Sequence, residues 1–193
     1  MKKIVLASNN KHKILEFKKI LNDYEILSLD DIGFLDDIEE TGETFLENAL
    51  IKAKTVSDYL KSKNMEIDVL AEDSGLCCLS LNLEPGVYSA RYAGGHGNNT
   101  ENRKKLIENL KGKDKTAYFT ATIVLYHSND TYEYSEGRTY GKIIDEEIGD
   151  KSFGYDCIFL SDDLNKTFGS ATNEEKNSVS HRFRAINKIK EVL

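Results

Sequence analysis

Several features that define other protein classes are scarce in this chain of 193 residues. A single proline excludes a long proline-rich linker. The three cysteines, Cys77, Cys78 and Cys157, are odd in number and two are adjacent, which argues against a disulfide framework and against the usual spacing of a zinc site. We therefore expect three free thiols in or near the core.

Basic blocks and long apolar runs are also missing. The formal net charge is -7 and no Lys/Arg-rich block occurs, which disfavours a module that binds duplex nucleic acid. A small anionic substrate is still compatible with an acidic chain, since a few lysines and a metal ion can bind it locally. The apolar run before Ser8 is too short for a signal peptide or a membrane span, so we expect a cytoplasmic protein.

The hydrophobic pattern predicts an α/β fold, in one domain or one domain with two lobes. Residues 3–7 form a predicted buried strand, and Ile14, Phe17 and Leu21 lie on one face of the helix that follows. The further predicted elements are a strand at 25–29, a helix at 44–63, strands at 69–71 and 77–81, a helix capped by Thr100, strands at 116–126, 131–135 and 137–144, a capping box at Thr172 and Glu175, and a C-terminal helix.

A first polar segment, Ser8-Asn9-Asn10-Lys11-His12-Lys13, lies between the first strand and helix. Backbone N–H groups at a helix N-terminus attract anions, and a lysine there strengthens the attraction. An ordinary capped helix with solvated lysines has the same composition, so both interpretations stay open. The segment contains no glycine and is therefore not a P-loop.

Two further segments are rich in carboxylates. Residues 39–43 precede the predicted helix at 44–63, and Ala71-Glu72-Asp73-Ser74-Gly75 follows a predicted buried strand. Carboxylates are the hard oxygen ligands that Mg2+ needs, and α/β folds place their sites at strand ends. An exposed helix face explains the first segment equally well, and a simple Asp-Ser-Gly turn explains the second.

Two C-terminal segments combine aromatic and donor groups. Phe153-Gly154-Tyr155-Asp156 offers a ring for stacking a base and a carboxylate for its donors, although an aromatic in a turn is usually a packing residue. Ser180 can cap a helix and so direct His181 and Arg182 at a ligand, whereas a lone histidine is more often structural. His96 and His127 follow no pattern and receive no role.

The order of these segments resembles that of the inosine triphosphate pyrophosphatase family, also called the Ham1 family, over essentially the whole chain. The matching motifs are Ser8-Asn9-Asn10 with Lys13, Glu39-Glu40-Thr41-Gly42 with Phe45, Glu47-Asn48-Ala49 and Lys52, Ala71-Glu72-Asp73-Ser74-Gly75-Leu76, the run from Pro85 to Gly94, Phe153-Gly154-Tyr155-Asp156, and Lys176 with Ser180-His181-Arg182. Two positions depart from the family pattern: Ser8-Asn9-Asn10 stands for the usual Thr-Gly-Asn, and Cys157 stands for proline.

The resemblance implies a fold, an activity and an assembly. We expect a single domain over residues 1–193, with a long twisted mixed sheet, flanking helices and an active cleft between two lobes. The implied activity is Mg2+-dependent hydrolysis of ITP, dITP and XTP to the nucleoside monophosphate and pyrophosphate, which removes deaminated purines from the nucleotide pool. A homodimer is implied as well, with residues 116–126 or 85–95 as possible contacts.

Asp73 is the expected general base under this hypothesis, and Asp73 with Glu40 or Glu39 is expected to hold Mg2+. The expected substrate-binding residues are Ser8, Asn9, Asn10, Lys11, His12, Lys13, Lys52, Ser74, Phe153, Gly154, Tyr155, Asp156, Lys176, His181 and Arg182. His181 and Arg182 supply donors that match the 6-oxo group of hypoxanthine and xanthine. The role of Glu72 is left open.

Two alternatives belong to other classes. A Maf-like nucleotide pyrophosphatase has a similar sheet but acts on other bases, and the His181-Arg182 segment argues against it. A nucleotide-binding regulator without catalysis is disfavoured by the acids Glu40 and Asp73.

Overall fold

The computed structural model describes residues 1–95 and 97–193, so His96 lies outside the described residues. Strands and helices alternate in the first part of the chain, and a run of four strands followed by two helices completes it, which confirms the predicted α/β class. The strands are β1 (Lys2–Leu6), β2 (Tyr24–Leu27), β3 (Asp68–Cys78), β4 (Thr116–Tyr126), β5 (Tyr132–Ile143), β6 (Phe159–Ser161) and β7 (Lys166–Thr167). The α-helices are α1 (Lys11–Ile20), α2 (Phe45–Ser62), α3 (Asn99–Asn109), α4 (Asn173–Val179) and α5 (His181–Lys190).

The strands form one mixed sheet in the order β2-β1-β3-β4-β5-β6-β7. β1 pairs in parallel with both β2 and β3, so that Ile4 lies opposite Ile26 on one side and Asp68 on the other. β6 pairs antiparallel with β5 and β7. β4 lies between β3 and β5 and is almost entirely buried. Residues 116–126 therefore form an interior strand of the sheet, and their expected part in a dimer contact stays a prediction.

The chain divides into two compact units. Unit 1 comprises Met1–Asp73, Ala121–Gly137 and Phe183–Leu193, and unit 2 comprises Ser74–Thr120 and Arg138–Arg182. Within residues 1–95 and 97–193, no helix combines the length and apolar character needed to cross a membrane.

Unit 1 has a separate core on each face of its strands, because successive strand side chains point in opposite directions. Ile4 and Leu70 pack with Phe17 of α1 and with α5 on one face. Val5 and Val69 pack on the other face against α2. The predicted stripe on α2 is confirmed in its buried members, which are Ala49, Ala53, Val56 and Leu60.

Unit 2 is built around an aromatic core. The ring of Phe119 lies 4.7 Å edge-on from Phe159 and 6.0 Å in a stacked arrangement from Phe168, measured between ring centroids. Cys78 and Cys157 belong to the same core. All three cysteines are free and buried, which confirms the prediction, and burial raises the pKa of the Cys78 thiol to about 12.

Predicted helix starts are confirmed at some positions and wrong at one. The hydroxyl of Thr172 and the carboxylate of Glu175 form the predicted capping box at α4. At α3 the cap is Asn98, whose Oδ1 accepts from the backbone N–H of Glu101 at 3.2 Å, and not Thr100. Both residue types satisfy free N–H groups at a helix start, so composition alone does not choose between neighbouring positions.

The largest difference from the prediction lies in β3 and β5. β3 is continuous through residues 72–76, where the prediction ended one strand and began another, and the interpretation of Asp73 to Gly75 as a simple turn is wrong. β5 is also one strand where two were predicted. In β5, the hydroxyl of Ser135 donates to the backbone carbonyl of Ala185 at 2.8 Å, so a polar residue is satisfied without leaving the strand.

Candidate functional site

Glu72 and Asp73 lie inside β3 and point to its two opposite faces. Leu70 belongs to the core beneath α1, and Ala71 belongs to the core beneath α2. The alternation of a strand therefore directs Glu72 toward α1 and Asp73 toward α2. Both carboxylates are buried, so each needs a cation or donor on its own face. The two acids, which were predicted as a pair at a strand end, therefore have their side chains on opposite faces of β3.

Two residues of α2 meet the carboxylate of Asp73. Asn48 donates from Nδ2 to Oδ2 of Asp73 at 3.0 Å, and Nζ of Lys52 lies 3.7 Å from Oδ1. Nζ of Lys52 also donates to Oε1 of Glu40 at 2.5 Å. A spacing of four residues places Asn48 and Lys52 on the same face of α2. One ammonium group therefore bridges the two carboxylates that were predicted to hold a metal ion.

Burial dominates the electrostatics of Asp73. It raises the pKa of this carboxyl above its ordinary value, while the Lys52 ammonium opposes the shift and the Glu40 carboxylate adds to it. A carboxylate with a raised pKa accepts a proton more readily near neutral pH, which suits a general base.

The loop before α2 is fixed to the same side chain that contacts Asp73. The backbone N–H of Gly42 donates to Oδ1 of Asn48 at 2.8 Å. A Cβ at Gly42 would lie 2.7 Å from Cβ of Glu47 and 2.8 Å from that Oδ1, so the close approach requires glycine. Of the two predicted metal ligands in this loop, Glu40 reaches Lys52, whereas Glu39 is exposed.

The donor set around Lys52 fits a Mg2+ ion that is shared with a substrate. Among the described residues, no three His, Cys, Asp or Glu side chains are gathered as a cage for a metal. Mg2+ in nucleotide enzymes commonly uses one or two carboxylates, and water and phosphate oxygens complete its shell. Glu40 and Asp73, both in contact with the same ammonium, are the two carboxylates that would hold such an ion.

The predicted phosphate segment at the start of α1 is partly engaged in capping. Oδ1 of Asn10 accepts from the backbone N–H groups of His12 and Lys13. The hydroxyl of Ser8 accepts from the backbone N–H of Asn10. The cap at this helix start is therefore confirmed, and those N–H groups have partners within the segment. Oδ1 of Asn9 accepts from the backbone N–H of Asp30 at 3.0 Å.

Lys13 is not one of the solvated lysines that the capped-helix interpretation implies. Its Nζ lies 3.5 Å from Oε2 of Glu72, and its side chain is only 21% exposed. Glu72, whose role the sequence left open, is thus the buried partner of a lysine predicted to bind phosphate. Lys11 and His12 are exposed on the same helix, and Ser74 is half-buried on β3.

The aromatic segment of unit 2 presents a ring beside a buried ion pair. Phe153 is 42% exposed, and Nζ of Lys176 lies 4.9 Å from its ring centroid. The same ammonium donates to Oδ2 of the buried Asp156. Burial raises the pKa of the Asp156 carboxyl, while Lys176 and Arg182 oppose the shift. Gly154 has a φ of 46°, in the left-handed region that favours glycine.

The start of α5 is buried in unit 2. His181 stacks on Phe119 with ring centroids 5.1 Å apart and an angle of 15° between the ring planes. Ser180, His181 and Arg182 are all buried, so His181 is not a surface histidine. Because Arg182 lowers the pKa of Asp156, its positive charge acts on the same carboxylate that Lys176 contacts.

Sequence reasoning assigned no role to two residues that organise these groups. Asn48 stands in a quoted motif, and its spacing of four from Lys52 is a signal that could have identified it. Arg103 is buried in α3 and donates to the backbone carbonyl of Gly154 at 2.9 Å. No local pattern predicts that contact, because the two residues lie 51 positions apart.

Comparisons with known proteins agree on one family. A sequence model of the Ham1 family matches residues 4–192. A dITP/XTP pyrophosphatase of Clostridium perfringens is 45% identical over an alignment that covers 100% of this chain and 98% of the relative. One of Campylobacter jejuni is 42% identical, with 99% and 96% covered. The structure of a HAM1 protein from Coxiella burnetii superposes with a TM-score of 0.90 at 36% identity, covering 100% of this chain and 98% of that one. The chain belongs to the Ham1 family.

Proposed function

We propose that this chain hydrolyses ITP, dITP and XTP with Mg2+, giving the nucleoside monophosphate and pyrophosphate. The observation that carries the proposal is the contact of one ammonium, that of Lys52, with the carboxylates of Glu40 and Asp73. Hydrolysis of a triphosphate needs a base for water and positive charge for the phosphates. The names of the two bacterial relatives support the same activity.

Asp73 accepts a proton from the attacking water, whose oxygen forms the new bond to the α-phosphorus as the bond to the pyrophosphate oxygen breaks. Its raised pKa supports this role, and the bond from Asn48 fixes the orientation of its carboxylate. Lys52 and Lys13 bind phosphate oxygens, with Ser8 and Ser74 as further contacts. Asp73 and Glu40 would hold Mg2+, which would supply additional positive charge for the phosphates.

Base selection is assigned to unit 2. Phe153 offers an exposed ring for stacking, and Lys176 lies over that ring. Arg182 has donors only, so it matches a 6-oxo group and leaves the 6-amino group of adenine unpaired. Such a mismatch in a buried site discriminates between bases by orders of magnitude.

We also propose that the protein acts as a cytoplasmic homodimer. With β4 enclosed in the sheet, the segment at 85–95, which contains a 3-10 helix at Gly86–Arg91, is the better of the two expected dimer contacts. Tyr88 in this helix is half exposed, and its ring centroid lies 5.2 Å from Cζ of Arg91. Sedimentation analysis of Tyr88→Ala checks the assignment, and an unchanged dimer would exclude this ring from the contact.

Pyrophosphate release from ITP, dITP, XTP, ATP, GTP and TTP, with and without Mg2+, tests the proposed reaction. We expect turnover of the first three substrates and dependence on the metal. Asp73→Asn should lower kcat by about 100-fold or more, because the base is removed. Arg182→Ala should reduce the preference for ITP over ATP at least about tenfold. Equal turnover of all six nucleotides would contradict the proposal.

A further inference from the structure

Arg103 holds the segment that carries Phe153 from inside unit 2. Its side chain is 3% exposed, and its Nη1 donates to the backbone carbonyls of Gly154 at 2.9 Å and Lys151 at 3.4 Å. Its Nε donates to Oε1 of Glu147 at 2.8 Å. The guanidinium thus donates hydrogen bonds to the backbone on both sides of Phe153, and the carboxylate of Glu147 balances its charge.

Two further hydrogen bonds act on the same segment. Nδ2 of Asn99 donates to the backbone carbonyl of Ser152 at 3.3 Å. The hydroxyl of Tyr155 donates to the backbone carbonyl of Ser89 at 2.8 Å. The backbone is therefore anchored at each residue that flanks Phe153, while the ring itself is exposed. Ligand sites are usually largely preformed and lined by aromatic side chains, and an anchored backbone with an available ring fits that description.

We propose that Arg103 is a positioning residue for base recognition, which fixes the backbone of residues 151–154 so that the ring of Phe153 is presented before the nucleotide arrives. The inference rests on the proposed function. A segment that is already ordered avoids the entropic cost of being ordered by the ligand, so the effect appears in substrate affinity. A lysine cannot replace Arg103, since one ammonium lacks the planar set of donors that reaches two carbonyls and a carboxylate.

Arg103→Lys tests this assignment against a general loss of structure. We expect KM for ITP to rise about tenfold while kcat stays within about threefold, because the loop contacts are lost and the residues around Asp73 are unchanged. Inorganic tripolyphosphate, which has no base, should inhibit the variant and the wild type with the same Ki. A merely structural defect would weaken both ligands. The inference is overturned if KM is unchanged, or if KM and Ki rise together.

Lys104→Gln is the matched control, because this exposed lysine of α3 pairs with Glu101 and its loss leaves the bonds of Arg103 to Lys151 and Gly154 in place. Its KM for ITP should stay within about twofold of the wild type. If Arg103→Lys fails to fold, as judged by circular dichroism, Asn99→Ala decides the question. It removes the bond to Ser152, the one side-chain bond of Asn99 among the described residues, and should raise KM about threefold with an unchanged Ki. A wild type that leaves ITP, dITP and XTP intact would refute the proposed function itself, and the inference with it.

Discussion

Asn48 donates to Asp73 at 3.0 Å, and the other end of the same amide accepts from the backbone of Gly42 at 2.8 Å. Asn48 is completely buried, so its bond to Asp73 is shielded from water. A single side chain therefore connects the loop that carries Glu40 with the carboxylate proposed as the general base. The orientation of Asp73 and the position of this loop depend on one residue of α2.

Asn48→Asp should lower kcat about 10- to 100-fold with a smaller change in KM. The substitution preserves the shape of the side chain and the acceptor for Gly42, but it places a second carboxylate against Asp73 where a donor was. Steady-state hydrolysis of ITP measures the effect. Ser57→Ala, at another buried polar position of α2, is the control and should leave kcat nearly unchanged. Full activity in Asn48→Asp would show that this bond does not orient the base.

Glu40→Gln and Glu39→Gln decide which of the two carboxylates holds the metal ion, a choice that the sequence left open. Only Glu40 is in contact with the lysine that also touches Asp73. We expect Glu40→Gln to raise the Mg2+ concentration for half-maximal activity about tenfold, and Glu39→Gln to change it less than about twofold. Activity measured across a Mg2+ titration gives both values. The reverse order would assign the metal to Glu39.

Gly42→Ala should disturb the site through sterics alone. The added Cβ would meet Oδ1 of Asn48 at 2.8 Å, so the amide that orients Asp73 must move. We expect a loss of about 1–3 kcal/mol in the free energy of unfolding, together with a fall in kcat of about tenfold. Gly95→Ala is the control for stability, since its Cβ would meet no atom within 4 Å among the described residues. A Gly42→Ala variant with wild-type stability and kcat would contradict this coupling.

The sequence predicted the order of elements but misjudged where polar residues interrupt a strand. Glu72 and Asp73 indicated a strand end because isolated carboxylates are costly inside a sheet. In the structure they stay within β3 because Lys13 of α1 and Lys52 of α2 reach them from opposite faces. Those partners are distant in sequence, so a local hydrophobic pattern does not contain them.

In the candidate site, too, the sequence predicted some residues and missed others whose partners are distant in sequence. The order of the motifs that contain Lys13, Lys52, Asp73 and Lys176 predicted a phosphate and metal chemistry through its resemblance to a family, whereas each segment alone was compatible with a structural role. Arg103 was not predictable, since its contacts join α3 to a loop about 50 residues away and leave no periodic trace. Motif spacing therefore indicates which groups react, and tertiary packing decides which residues position them.

Asp156 and Asp150 should change the pH dependence of stability in opposite directions. Burial raises the pKa of Asp156 in the folded protein, so this carboxyl contributes stability below its ordinary pKa of 3.8 that is lost as pH rises through the folded value. Hydrogen bonds from the backbone and hydroxyl of Ser152 lower the pKa of Asp150, so its contribution to stability is present above pH 3.8 and lost as pH falls.

Urea unfolding without nucleotide, from about pH 3 to about pH 8, measures both effects. With rising pH the wild type should lose stability relative to Asp156→Asn and gain stability relative to Asp150→Asn. A wild type that gains stability relative to Asp156→Asn would mean that the ion pair with Lys176 outweighs burial.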